Sequence, residues 1–142
     1  MRSKIHVLLV EDNPAEAMIT REGLISAEIL STMDMVSDGV EAMDFLHRRG
    51  RHAGARRPDL VLLDLNMPRK GGLDVLAEMK ADESLKNIPV VVLTTSKSRE
   101  DVSRAYALHA NCFISKPMDF EEFTAAMRTI RSFWFSVVTL PK

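Results

Sequence analysis

The chain has 142 residues, of which 46% are hydrophobic and 27% are charged, and this composition suits a single globular domain with its own core. Its 19 Lys and Arg residues nearly balance 20 Asp and Glu residues, so we expect no direct binding to nucleic acid. The one cysteine, Cys112, has no partner for a disulfide within the chain, and no apolar run is long enough to span a membrane. We therefore expect a cytoplasmic protein that does not insert into a membrane.

Short apolar runs of strand length alternate with helical patterns along the chain. A run at 5–10 precedes a helix that starts at Pro14 and extends to about Leu30. After a weaker run at 33–36, Asp38 and Glu41 form a capping box that opens a second helix. Residues 48–57 are rich in Arg and Gly and predict a longer, solvated surface loop.

The second half of the chain continues the same alternation. Runs at 60–63, 90–93 and 112–114 predict three more strands, and helices are expected at 72–80, at 98–108 and from Asp119 onwards. Each run is continuous, as in parallel strands that helices cover on both faces. Right-handed crossovers then fold the alternating elements into a doubly wound, three-layer α/β sandwich.

Polar side chains follow four of the predicted strands, and in a doubly wound sheet ligands bind at these strand ends. Three of the groups are carboxylates, those of Glu11, Asp12 and Asp64. Carboxylates brought close together repel one another, and a divalent cation offsets that repulsion. Oxygen ligands with no His or Cys nearby favour Mg²⁺, and Lys116 would add a positive charge for a phosphoryl oxygen or for Asp64. Taken singly, Asp12 could instead cap the first helix.

These motifs are similar to those of the response regulator receiver domain, the phosphoacceptor module of two-component signalling, over about residues 5–132. Within that family the chain resembles the single-domain regulators associated with bacterial phytochromes, through Leu-Asn-Met-Pro at 65–68, Leu-Thr-Thr-Ser at 93–96 and the apolar segment 133–141. The resemblance implies a flavodoxin-like sheet of five parallel strands in the order 2-1-3-4-5. The segment 69–72 departs from the family, because it lacks the acidic residue that often precedes the final glycine.

The resemblance also implies roles for the residues at the strand ends. Asp64 would accept a phosphoryl group from the phosphohistidine of a sensor kinase and would also be a metal ligand. Asp12 would bind Mg²⁺ directly, Glu11 through water and Asn66 through its backbone carbonyl, and Mn²⁺ could substitute for Mg²⁺. Thr94 and Lys116 would contact the oxygens of the transferred group.

The resemblance also implies roles in switching and in hydrolysis for five positions. Thr94 would move towards the phosphoryl group, and Phe113 would fill the space it leaves. The bond from Lys116 to Pro117 would be cis, and the side chains of Asn66 and Ser96 would tune the rate of hydrolysis. The alternative for Phe113 is ordinary core packing, and the alternative for Pro117 is a simple helix start.

The residues after the last predicted helix are strongly apolar, so we divide the chain into a receiver domain at 1–132 and an extension at 133–142. This extension either packs on its own core or is buried by a second copy of the chain. The stripe of apolar residues favours a homodimer through the last helix and the extension. Its members are Ile130, Phe133, Trp134, Phe135, Val137 and Val138.

The expected function is that of a single-domain response regulator, a signalling protein and not a metabolic enzyme. Its partner would be a sensor histidine kinase, with a bacterial phytochrome as the candidate. Because the sequence ends at Lys142, we expect output through protein contacts or phosphate relay. Two alternatives are Mg²⁺ enzymes of the Toprim type and phosphatases of the haloacid dehalogenase type, but both call for Asp where Asn66 stands. A third is a docking domain that is never phosphorylated.

Overall fold

Five parallel strands form one sheet in the order β2-β1-β3-β4-β5, as expected for a doubly wound fold. The structure, a computed structural model, describes residues 5–26, 30–65, 71–94, 103, 112–115 and 120–130. The strands are listed here by their bounds: β1 (Ile5–Val10), β2 (Leu30–Val36), β3 (Leu60–Asp64), β4 (Val90–Thr94) and β5 (Cys112–Ser115). The predicted α/β class and strand order are therefore confirmed.

Four described helices connect or follow these strands: α1 (Pro14–Ser26), α2 (Gly39–Leu46), α3 (Gly72–Ala81) and α4 (Phe120–Ile130). Asp38 caps α2 as predicted, because its side chain accepts a hydrogen bond from the Glu41 N–H at 2.8 Å, while the Glu41 carboxylate accepts one from the Ser37 N–H at 2.9 Å. The predicted helix at 98–108 lies outside the described residues apart from Ser103. None of the described helices has the length and apolar character needed to cross a membrane.

One predicted boundary is wrong. The first helix was expected to reach Leu30, but it ends at Ser26, and Leu30 already belongs to β2. β2 lies at the edge of the sheet, where it pairs with β1 and leaves Thr32, Asp34 and Met35 exposed. An edge strand carries polar residues that resemble a loop or helix in sequence, so its first half escaped the apolar pattern.

The core consists of two apolar clusters, one on each face of the sheet. One cluster joins alternate residues of β1 and β3 to α2 and α3, through side chains such as Phe45 and Leu76. The other joins the remaining strand residues to α1 and α4, through Leu24 and Met127. The central strands β1, β3 and β4 are thus buried on both faces, which confirms the predicted three-layer sandwich and fixes the strand ends that carry the polar residues.

Candidate functional site

Glu11 follows the last residue of β1 and is 2% exposed. Its backbone N–H donates a hydrogen bond to the Val36 carbonyl at 3.0 Å, which ties this end of β1 to the end of β2. Its Oε2 accepts a bond from the Asn13 N–H at 3.3 Å. The backbone therefore holds Glu11 at the carboxyl edge of the sheet, with its carboxylate turned towards the start of α1.

Asp64 is the last residue of β3 and is 7% exposed. In the sheet register Val10 of β1 lies beside Leu63 of β3. The residues that follow them, Glu11 and Asp64, are therefore at the same height at the ends of two neighbouring strands. On the other side Asp64 lies beside Leu93 of β4. A buried acid at the end of a central strand is a costly choice for the fold alone, and it marks this edge as a candidate site.

A third carboxylate comes from helix α1. Asn13 caps this helix, because its Oδ1 accepts bonds from the N–H groups of Ala15 at 2.9 Å and Glu16 at 3.2 Å. This cap sets Glu16 in the first turn, beside the strand ends. Carboxylate oxygens of Glu11, Glu16 and Asp64 all lie within 4.8 Å of one another.

Such a group of oxygens is suited to a hard divalent cation. Unit charges about 4 Å apart repel by about 1 kcal/mol in water and by about 4 kcal/mol at the dielectric of a protein surface, so a cation between them is favoured. Mg²⁺ and Mn²⁺ both accept carboxylate oxygens, and Mg²⁺ commonly keeps several waters beside one or two carboxylates. The residues present fit either ion.

The structure brings together two of the three predicted carboxylates. Asp12 is exposed and lies outside the group of Glu11, Glu16 and Asp64. Glu16 was missed because it belongs to a helix and not to a strand end. The signal that could have found it is the spacing from the cap Asn13, which puts an acid three residues later in the first turn.

Of the remaining predicted residues, three have described backbones, and one of them, Ile130, is the last residue of α4. Thr94 is the last residue of β4, one position beyond the neighbour of Asp64, and lies beside Ser115 of β5. Phe113 lies in β5 beside Val92. The other predicted site residues are outside the described residues. They are Asn66, Ser96, Lys116 and Pro117 of the predicted phosphorylation site, and Phe133, Trp134, Phe135, Val137 and Val138 of the predicted dimer segment.

Gly72 begins helix α3 directly against the strand end that carries Asp64. A Cβ at this position would stand 2.3 Å from the Asp64 carbonyl oxygen and 2.7 Å from Leu65 Cα. The Gly72 N–H also donates to the Leu65 carbonyl at 3.1 Å. Only glycine permits this approach, so α3 packs on the backbone of Asp64 itself.

The fold and this acidic strand edge define a protein class, and sequence comparison agrees with it. The chain belongs to the response regulator receiver domain family, whose family model matches residues 7–128. It is therefore a signalling domain of two-component systems.

Its relatives include regulators of phytochrome systems. The chain is 44% identical over 135 residues to the response regulator Rcp1 of Synechocystis sp., covering 95% of this chain and 92% of Rcp1. The phosphorylated cyanobacterial phytochrome response regulator RcpA superposes with a TM-score of 0.90 at 44% identity, covering 99% of this chain and 100% of RcpA. The Mn²⁺-bound form of Rcp1 gives a TM-score of 0.87 at 43% identity, covering 97% and 99% of the two chains.

Proposed function

We propose that the protein is a single-domain response regulator whose Asp64 accepts a phosphoryl group from a sensor histidine kinase. The observation that carries this proposal is the convergence of carboxylate oxygens from Glu11, Glu16 and Asp64 within 4.8 Å at the carboxyl ends of β1 and β3. Membership of the receiver family supports it, and it disfavours the Toprim-type and phosphatase-type enzymes. A solved structure of phosphorylated RcpA supports the same reaction.

In the proposed reaction an Asp64 carboxylate oxygen attacks the phosphorus of a phosphohistidine. An oxygen–phosphorus bond forms, the phosphorus–nitrogen bond breaks, and the electron pair returns to the imidazole nitrogen. Asp64 is buried at the end of a paired strand, so its attacking oxygen is held in one place. This positioning reduces the entropic cost of reaching the transition state. Lys116 and the Thr94 hydroxyl would contact the transferred oxygens.

A divalent ion, Mg²⁺ with Mn²⁺ as substitute, would supply positive charge against the charge that spreads over the phosphoryl oxygens. Glu11, Asp12 and Asp64 would hold it, together with the backbone carbonyl of Asn66. Glu16 joins this set because its carboxylate is the third member of the group. The Mn²⁺-bound form of Rcp1 supports this assignment.

Four side chains would convert phosphorylation into a signal and end it. Thr94 would move towards the phosphoryl group and Phe113 into the space it leaves, with Pro117 cis before the last helix. The side chains of Asn66 and Ser96 would tune hydrolysis. Thr94 follows Leu93, the residue of β4 that lies beside Asp64, and this position supports the proposed switch role of Thr94.

The proposed partners are a sensor kinase of the phytochrome type and a second copy of this chain. Similarity to RcpA and Rcp1 supports the phytochrome link. The dimer would use the last helix and the apolar extension, and the predicted stripe from Ile130 to Val138 supports it. We propose a cytoplasmic location, with which a receiver domain and the lack of a membrane-spanning helix among the described residues are consistent.

Intact-protein mass spectrometry after treatment with acetyl phosphate tests the proposal. We expect a gain of one phosphoryl group that requires Mg²⁺ and is absent in Asp64→Asn. Asp74→Asn is the matched control, because Asp74 is an exposed carboxylate in the first turn of α3. No gain in the wild-type protein with Mg²⁺, or an equal gain in Asp64→Asn, would reject Asp64 as the acceptor.

The kinase assignment needs its own measurement. Phosphotransfer from a phosphorylated phytochrome kinase is compared with transfer from a histidine kinase of an unrelated system. We expect the phytochrome kinase to phosphorylate the wild-type protein at least about tenfold faster, a difference of about 1.4 kcal/mol in the barrier. Equal rates would contradict the phytochrome link and leave the acceptor chemistry intact.

A further inference from the structure

A cleft of about 270 Å³ lies at the end of the sheet opposite Asp64. Its basic lining residues are His47, Arg48 and Arg57, and the remaining ones are Leu46, Pro58, Ser84 and Leu85. Pro58 precedes β3, whereas Asp64 ends it, so the two sites are separated by the length of that strand, about 13 Å. The cleft therefore does not belong to the phosphorylation site.

The arginines of the 48–57 loop do not all have the same surroundings. Arg49 pairs with Asp44 at 3.8 Å, and Arg51 pairs with Glu41. Arg48 and Arg57 form no ion pair with the described residues, and these two line the cleft. Arg57 donates one N–H to the Ser84 carbonyl, which leaves four of its five donors for other acceptors. The predicted solvated loop thus contains two arginines that face one cavity.

Arg48 occupies a backbone position where glycine is preferred. Its N–H donates to the Phe45 carbonyl at 3.1 Å, and the Arg49 N–H donates to the Asp44 carbonyl at 2.8 Å, a Schellman motif that ends α2. The φ of Arg48 is 56°, in the left-handed region. Any residue other than glycine is strained in this region of the backbone. Residues with such strained backbones cluster at functional sites.

Asp82, which pairs with the lining residue His47, is engaged by other groups. Asp82 accepts hydrogen bonds from Ser84 N–H at 2.8 Å and Ser84 Oγ at 2.6 Å, and it faces His47 Nε2 at 3.6 Å. No acidic residue lines the cleft itself. Two guanidinium charges beside an imidazole suit a doubly charged anion better than a single carboxylate, and a phosphate monoester carries nearly two charges at pH 7.

We propose that this cleft binds a phosphate group, supplied either as free phosphate or by a small phosphate monoester, through Arg48 and Arg57. The volume of the cleft limits the ligand to a phosphate with a short organic body. The guanidinium forks would each donate to the phosphate oxygens, and the floor of Leu46 and Leu85 would contact the body of a monoester.

Amide chemical shifts of the full ¹⁵N-labelled chain test this site, with chelator present so that the acidic edge holds no metal. Inorganic phosphate is titrated at constant ionic strength, and glycerol phosphate and acetate are titrated in parallel. We expect saturable shifts at Arg48, Ser84 and Leu85 with both phosphates and only weak shifts with acetate. Tighter binding of glycerol phosphate assigns the ligand as a monoester, and equal binding assigns free phosphate.

Arg48→Gly is the decisive variant, because glycine relieves the left-handed backbone while it removes the guanidinium. We expect its melting temperature to equal or exceed that of the wild type and its affinity for phosphate to fall about tenfold or more. Arg56→Ala is the matched control, because Arg56 is an exposed arginine of the same loop that does not line the cleft. No saturable shift in the wild type, acetate binding as strong as phosphate, or equal losses in Arg48→Gly and Arg56→Ala would overturn the proposal.

Discussion

Glu16 adds a helix side chain to a site otherwise built on strand ends. Its position depends on the Asn13 cap, which starts α1 immediately after the acidic pair at 11–12. A carboxylate in the first turn of a helix also interacts favourably with the helix dipole, so Glu16 has a structural role besides the metal-binding role that we propose for it. The two roles can be separated by experiment, because only metal binding depends on the distance between the carboxylates of Glu16 and Asp64.

We predict that Glu16→Gln weakens Mg²⁺ and Mn²⁺ binding about tenfold, since it removes one of three converging charges. Asp12→Asn should weaken it as well, because the proposed ligand set includes Asp12. Glu22→Gln is the control, because Glu22 is an exposed acid of the same helix. Calorimetric titration with each metal measures the affinities. Equal affinities for Glu16→Gln and Glu22→Gln would remove Glu16 from the site.

Asp82 gives the protein an acid-sensitive contact. Hydrogen bonds from the Ser84 side chain and backbone, with a smaller contribution from His47, hold the pKa of Asp82 below its usual value of 3.8. A lowered folded-state pKa stabilises the fold fully above the unfolded value, and this contribution is lost as the pH falls through the folded value. We predict that Asp82→Asn lowers the melting temperature at pH 7. The difference from wild type should begin to shrink as the pH falls below about 4 and should disappear once the pH is below the folded-state pKa.

Thermal unfolding across pH measures this contribution. Glu83→Gln is the matched control, because Glu83 is a surface acid whose pair with Lys86, at 2.9 Å, contributes little to stability. Its melting temperature should follow that of the wild type at every pH. A difference for Asp82→Asn that persisted in acid would show that the side-chain amide disturbs the turn for another reason.

At the scale of elements, the packing of α3 on β3 depends on Gly72. We predict that Gly72→Ala lowers the free energy of unfolding by about 1–3 kcal/mol, because its Cβ would overlap backbone atoms of Asp64 and Leu65 that cannot rotate away. The displaced strand end should also slow phosphorylation of Asp64. Urea denaturation and the acetyl phosphate assay measure the two effects.

Gly54→Ala is the control for this substitution, since a Cβ at Gly54 meets no atom within 4 Å. Its free energy of unfolding should stay within about 1 kcal/mol of the wild type, with normal phosphorylation. If Gly72→Ala and Gly54→Ala had the same free energy of unfolding, the close approach at Gly72 would not contribute to stability.

The elements differ in how clearly their sequences predict them. β1, β3 and β4 are buried on both faces, so their apolar runs mark them almost to the residue. β2 could be predicted only in its second half, because the exposed side of an edge strand has no need of apolar residues. His6 lies inside the first run and is buried because Thr32 and Asp34 of β2 contact its ring, a pairing that depends on register and cannot be read locally.

At the scale of the whole molecule, topology explains why the site could be predicted and where that prediction stops. Parallel strands bring their carboxyl ends to one edge whatever their separation in sequence, so Glu11 and Asp64 were expected together. The direction of a side chain on the following loop is not fixed by topology. Asp12 is therefore exposed, while Glu16, which follows it in the first turn of α1, completes the group.

The last prediction concerns assembly. We expect the full chain to form a homodimer in analytical ultracentrifugation and Trp134→Glu to be monomeric, because an aromatic ring buried in an interface contributes a large apolar area and a buried carboxylate is costly. Trp134 is the one tryptophan of the chain, so its fluorescence should shift to longer wavelength as the dimer dissociates on dilution. Val40→Glu is the control, because Val40 is 42% exposed on α2, which packs on the face of the sheet opposite the last helix, and this variant should remain dimeric. A monomeric wild-type protein at every concentration, or a dimeric Trp134→Glu, would contradict an interface through the last helix and the extension.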